Sequence, residues 1–167
     1  ESSFSLTIEP VPANDDFADA QEITGSLPRT LFGSNRHGSR QPEEPAHAGD
    51  PGGASVWYSW TAAGSGTATI STCTFFPSSL TLAVYTGSGL AHLTEVGSRV
   101  GGTGSCLSEV QFDAEAGTRY YVAVDGPGGI ETSFNLELGL EEAATNDSFT
   151  SPEDLGSEPW AYFQGSN

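Results

Sequence analysis

Residues 54–61 read ASVWYSWT. Side chains of an extended chain alternate between faces, so Val56, Tyr58 and Trp60 share one side and Ser55, Trp57 and Ser59 the other. β-branched and aromatic residues at this spacing make a strand. Tyr58 and Trp60 are expected to face a core. Trp57 is expected to be partly covered by the loop that precedes the strand.

Outward from this strand the pattern stays extended. Residues 66–73 follow a Gly-Ser-Gly turn, and residues 79–86, SLTLAVYT, offer Leu80, Leu82 and Val84 to the core. A weaker strand spans 90–96, and residues 97–105 read as a Gly- and Ser-rich loop. Residues 107–112 turn Val110 and Phe112 inward; residues 119–125, RYYVAVD, and 133–140 complete the series. Upstream, residues 29–33 form a short strand and residues 3–9 a half-buried one. Residues 34–53, rich in Gly, Pro, Arg and Glu, form one long loop. Asn14 or Asp15 is placed to cap a helical turn over Phe17–Ala20. Nowhere does an apolar period of 3.6 residues persist. The expected fold is all-β: a jelly-roll-like β-sandwich of about eight to nine antiparallel strands with little helix.

The two ends repeat each other. Residues 1–17 read ESSFSLTIEPVPANDDF and residues 131–149 read ETSFNLELGLEEAATNDSF. Asn14 returns as Asn146, and Gly33-Ser34-Asn35 as Gly165-Ser166-Asn167, both at an offset of 132 residues. Self-similarity at a fixed period marks a repeat array. Residues 1–13 therefore read as the last strand and linker of a preceding repeat, 14–140 as a complete sandwich, and 141–167 as the linker and first segment of a following one. Each end carries apolar residues that need a partner surface: Phe4, Leu6 and Ile8 at one, Phe149, Trp160 and Phe163 at the other. They are candidate contacts between neighbouring copies, made by end-to-end packing or by strand exchange.

The chain holds 22 Asp and Glu against five Arg and no Lys, a formal net charge of −17. Such a surface repels nucleic acid and anionic lipid and attracts cations. The lack of Lys excludes Lys–Asn isopeptide crosslinks and Schiff-base chemistry. No run of 18 apolar residues is present, so no membrane insertion is expected. No charged segment followed by an apolar one marks a signal peptide; if the protein is exported, the signal lies upstream. Cys73 and Cys106 sit near expected strand ends without a C-x-x-C spacing. An even count of this kind suits one structural disulfide in an oxidising compartment; two buried thiols are the alternative.

Taken in order, NDDFADAQEITG, EEPAHAGDPGGASVWYSWTA, GSGTATIST, LTLAVYTG, FDAEAGTRYYVAVDG and SFNLEL resemble the bacterial pre-peptidase C-terminal domain family over residues 14–140. The resemblance implies a non-catalytic jelly-roll module of secreted or cell-surface bacterial proteins, often repeated or appended to hydrolases. Some relatives bind calcium through acidic residues of the N-terminal linker. The matching positions here are Glu9, Asn14, Asp15 and Asp16. The other reading of Asn14 and Asp15 is the helix cap. The chain departs from the family at Pro77-Ser78-Ser79-Leu80 and at Ser98–Gly102, where relatives carry carboxylates. That narrows any calcium role to the linker.

Two further clusters bear on function. Glu43, Glu44, His47 and Asp50 could hold a metal or act as acid and base, but one loop supplies neither the spacing of a zinc site nor two carboxylates across a cleft. The expected role of Glu44 and His47 is to bond nearby backbone. Trp57, Tyr58, Trp60, Tyr85, Tyr120 and Tyr121 would suit either a core or a glycan platform, and the alternation favours the core. The function expected is a non-catalytic structural and adhesive module of an extracellular tandem-repeat protein. The alternative is a calcium-dependent, glycan- or protein-binding module attached to a secreted hydrolase.

Overall fold

A computed structural model describes residues 10–74, 79–102 and 108–143. The expected strand at 3–9, Cys106, Glu9 and the terminal residues Phe4, Leu6, Ile8, Phe149, Trp160 and Phe163 lie outside the described residues.

Nine strands are described: β1 (Gln21–Glu22), β2 (Arg29–Ser34), β3 (Val56–Thr61), β4 (Gly66–Thr74), β5 (Thr81–Gly87), β6 (Leu93–Val100), β7 (Ser108–Ala114), β8 (Arg119–Asp125) and β9 (Ser133–Glu142). They form two sheets, in the orders β1-β3-β8-β5-β6 and β2-β9-β4-β7. Apart from the two-residue β1, which runs parallel to β3, every pairing is antiparallel. Without β1, the orders 3-8-5-6 and 2-9-4-7 are those of an eight-stranded jelly roll.

The two sheets differ in how their outer faces are treated. β4 and β7 alternate buried with exposed or half-buried residues. Their inner residues, such as Ile70 and Val110, meet the core, and their outer ones, such as Thr69 and Glu109, face water. β3 and β5 are buried at five consecutive positions each. Strands covered on both faces lose polar alternation. Val56, Tyr58, Leu82, Val84 and Phe134 fill the space between the sheets. Trp57, Tyr85, Ala83 and Ala123 form a second cluster on the far side of the five-stranded sheet, beneath the long loop. Trp57 is fully buried there rather than partly covered.

Local departures have local reasons. The expected strand 90–96 opens as a 3-10 turn at Leu90–His92 and then runs as β6 to Val100, into the expected loop. A side chain at Gly97 would meet Val110, so this Gly-rich stretch lies close against β7 rather than looping away. The short β1, Gln21–Glu22, is exposed and carries no apolar signal. The helical turn is a 3-10 turn at Phe17–Asp19 whose cap position is Asp16, with no side-chain capping bond. Asn14 and Asp15 therefore do not cap it; they have other partners.

The chain enters and leaves at opposite ends of the strands. Ser34 pairs with Ser133, and Val56 with Val124, at one end. Thr61 pairs with Arg119, and Gly66 with Glu142, at the other. Asn14 bonds at Trp57, near the first of these ends. The Ala143 N–H donates to the Ser65 carbonyl at the second, at 3.0 Å.

Gly33 sits where β2 passes over the core, and a Cβ there would collide with the Tyr58 hydroxyl and the Phe134 ring. Gly33→Ala is predicted to cost about 1–3 kcal/mol, as overpacking does. Gly139→Ala in β9, where a Cβ meets nothing within 4 Å, should cost much less. Urea unfolding midpoints at constant slope check the pair.

Candidate functional site

The Asn14-Asp15-x-Phe17 motif fastens the incoming chain at three points. The Asn14 carbonyl accepts the Trp57 N–H at 2.8 Å, and its Nδ2 donates to the Trp57 carbonyl at 2.9 Å. One residue thus satisfies both backbone groups of a buried strand position. The Asp15 carboxylate accepts the Ser39 N–H at 2.6 Å and the Ser39 hydroxyl at 2.9 Å. The Phe17 ring stands edge-on to Trp57 at 5.1 Å and lies 4.5 Å from Tyr121, while its N–H donates to Gln41 Oε1. Asp15 and Phe17 thereby tie the entry to the long loop. Asp16 is exposed, and in the C-terminal copy its place is taken by Ser148.

The long loop is held down by a buried polar chain. His47 Nε2 lies 2.8 Å from Glu44 Oε1, and its Nδ1 lies 2.7 Å from the Tyr85 hydroxyl. The Glu44 and His47 side chains are 0 and 1 % exposed. A neutral ring with its proton on Nε2 satisfies every partner: it donates to Glu44 and accepts the Tyr85 hydroxyl proton. Glu44 Oε2 also accepts the Gln41 N–H. Burial opposes ionisation of Glu44. The hydrogen bonds from His47, Ser55 and the Gln41 backbone outweigh it and hold the carboxyl below its ordinary value of 4.5. Burial first, and then the charges of Glu95, Glu44 and Asp125, push the Tyr85 phenol up, so it stays neutral. Glu44 and His47 bond to each other, and His47 to Tyr85, not just to nearby backbone as the sequence suggested. Sealed from solvent, they cannot reach a substrate.

Two further anchors close the loop's ends. Asn35, fully buried, donates to the carbonyls of Ala54 and Ile130 and accepts the Thr132 N–H at 2.7 Å. Asp125 Oδ1 accepts the N–H groups of Gly53, Ala54 and Gly126. Gly52, at φ +61°, presses so close to the Asp125 carboxylate that no Cβ fits. The sequence marked neither anchor as such. The return of Asn35 as Asn167 in the terminal copy was the available signal for one of them.

Of the proposed calcium set, Asn14 and Asp15 are engaged in these bonds. Among the described residues, no group of three or more His, Cys, Asp or Glu is placed to share a metal. Of the six aromatics, Trp57, Tyr58, Trp60, Tyr85 and Tyr120 are buried and Tyr121 half-buried, so they build the core and the second cluster rather than a platform. Burial, partly offset by the Asn14 hydrogen bond, pushes the Tyr58 phenol up to about 12. Among the described residues, the indole N–H of Trp57 has no hydrogen-bond partner.

No family model matches the chain, and no curated protein matches it. Among solved structures it is similar to the pre-peptidase C-terminal domain of a collagenase from Bacillus anthracis, at 18% identity and a TM-score of 0.46, over 71% of this chain and 93% of that one. It is also similar to the Yersinia pseudotuberculosis-derived mitogen, at 9% identity and a TM-score of 0.45, over 72% of this chain and 93% of that one. The first bears the family name that the sequence resemblance gave. Likenesses of this size say nothing about role.

Tyr85→Phe leaves the buried His47 Nδ1 without a donor and is predicted to cost about 1–3 kcal/mol. Glu44 should contribute stability above its unfolded pKa and lose it as the pH falls through the lowered folded value. The deficit of Glu44→Gln is therefore largest near neutrality and shrinks below pH 4.5. Thermal unfolding of both variants between neutral and acidic pH checks this.

Proposed function

We propose that the chain carries a non-catalytic structural module of an extracellular tandem-repeat protein, its copies packed end to end in a stalk or filament. The observation that carries this reading is the passage of the chain from one end of the sandwich to the other. A module that takes its chain in at one end and passes it out at the opposite end extends an array with each copy. Ten residues of β9 span about 33 Å, so each copy adds a rise of that order. The sequence supplies the array: the entry motif returns at Asn146-Asp147-x-Phe149, three residues beyond Ala143. Packing is favoured over strand exchange, because β2 and its partner β9 both lie between the two copies of the motif.

Export and oxidation belong to the same proposal. The acidic surface suits an extracellular setting, and among the described residues no helix is long and apolar enough to cross a membrane. Cys73 directly follows the last β4–β7 pair, Thr72 with Ser108, and Cys106 precedes Ser108 by two residues. The proposed disulfide would join Cys73 to a residue two positions before Ser108 in the sequence. It closes a loop of about 30 residues and stabilises by about 3 kcal/mol in the chain-entropy picture.

A two-copy chain, in which residues 14–167 follow Thr145 of a first copy, keeps the native linker because residues 146–167 repeat 14–35. Small-angle scattering is expected to show a maximum dimension near twice that of one module. A compact particle no longer than one module would overturn the stalk. Separately, peptide mapping without reductant should recover Cys73 linked to Cys106, and reduction should lower stability by about 3 kcal/mol. Two alkylatable thiols in the secreted protein would contradict the pairing.

A further inference from the structure

Resting on that array reading, we propose that the entry motif is a latch: tension along the array opens it and releases a stored length of chain while the sandwich stays folded. The stored length lies between two anchors on β3. Asn14 bonds the backbone of Trp57, and Gln21 pairs with Tyr58, the next residue of the strand. Seven residue steps of chain, from 14 to 21, therefore cover about one step of strand. Extended, seven steps reach about 24 Å. The residues between the anchors, 15–20, are exposed or half-buried, and their one regular element is the 3-10 turn at Phe17–Asp19. Asn14 is 9 % exposed and Ile23, just beyond β1, 4 %. A segment that buries little between two buried anchors opens at a lower free energy than the whole fold.

The load meets this segment first. The entry segment runs alongside β3 in the same direction, Asn14 at Trp57, Gln21 at Tyr58 and Glu22 at Ser59. Tension from the entry end draws Asn14 along the strand. It is resisted by the two Asn14 bonds, the Asp15 bonds to Ser39 and the Phe17 contacts. The Asp15 bonds are exposed, so water competes for them. At the exit end the same tension acts on β9. That strand is paired with β4 from Phe134 to Glu142 and with β2 from Ser133 to Leu138. Both ladders lie along the pull and have to shear together, so the latch yields before β9. Beyond the latch the pull rests on Ile23, which sits in the core and donates its N–H to the Ser59 carbonyl at 2.7 Å.

The latch also closes itself. Opening parts Phe17 from the Trp57 and Tyr121 rings and leaves the Trp57 N–H without the Asn14 carbonyl. Both losses favour return when the tension falls. The linker supplies little length of its own, because Pro10-Val11-Pro12 is stiff. The motif returns at Asn146-Asp147-x-Phe149, so each copy brings a latch and the released lengths add in series.

The test is force spectroscopy on the full chain, with handles attached through non-natural residues at Ala13 and Ala143. The expected record is a reversible lengthening of about 15–20 Å, followed at higher force by the large unfolding event. Asn14→Ala should lower the force of the short step or remove it, and leave the force of the large event unchanged. If Asn14→Ala unfolds the module, Asp15→Ala, which removes the two Ser39 bonds, decides by the same shift. Unfolding in one large event, with no shorter step at lower force, would overturn the latch. So would a short step that neither variant moves. Scattering from the two-copy chain judges the array separately. The short step in a chain whose two copies form a compact particle would support the latch and sink the stalk; its absence in an extended one would sink the latch alone.

Discussion

Trp57 has to be kept dry. It projects from the outer face of the five-stranded sheet, where a jelly roll would ordinarily meet water, and with Tyr85, Ala83 and Ala123 it makes that face apolar. Leaving a side chain of that size exposed forgoes about 1.5–3 kcal/mol of burial. The long loop supplies the cover, and a loop pressed onto an apolar face must satisfy its own polar groups. Glu44, His47 and Tyr85 do so in the middle, Asn35 and Asp125 at the ends. The incoming chain completes the cover, with Phe17 against the Trp57 ring and Asn14 on the Trp57 backbone.

This constraint fixes where the module begins. The entry motif cannot drift along the sandwich without uncovering Trp57 and unpairing two buried backbone groups. The exit is fixed as firmly, because β9 lies between β2 and β4 and runs the length of its sheet before Ala143 bonds to Ser65. Entry and exit are thus set by packing, at opposite ends. A short linker between such modules leaves little freedom in how they meet. The proposed array rests on this arrangement of entry and exit.

Much of this was legible in the sequence, and the rest was hidden for identifiable reasons. Alternation gave the principal strands, because nearly all of them have at least one face in the core; β6, with no fully buried residue, read only as a weaker one. β1 was missed because Gln21 and Glu22 bury nothing. The Asn14-Asp15-x-Phe17 motif was visible as a repeat and as a helix cap. Its real work needed Trp57 and Ser39, which are distant in sequence. Glu44 and His47 were recognised as a structural pair, but Tyr85 lies 38 residues beyond His47, and no local pattern joins them. Asp125 looked like the end of a strand; two of its three backbone donors come from one segment 71 and 72 residues earlier, and the third from its own neighbour.

The claim on which the rest stands is that the chain passes through the sandwich rather than returning to where it began. Spin labels placed at Ala13 and Ala143 through non-natural residues, with both cysteines untouched, measure it in a single chain by pulsed dipolar spectroscopy. Five or more strand residues separate the levels of Trp57 and Gly66, so the account predicts a distance of about 16 Å or more. A narrow distribution near about 10 Å, the spacing of neighbouring strands and stacked sheets, would place entry and exit side by side and contradict it.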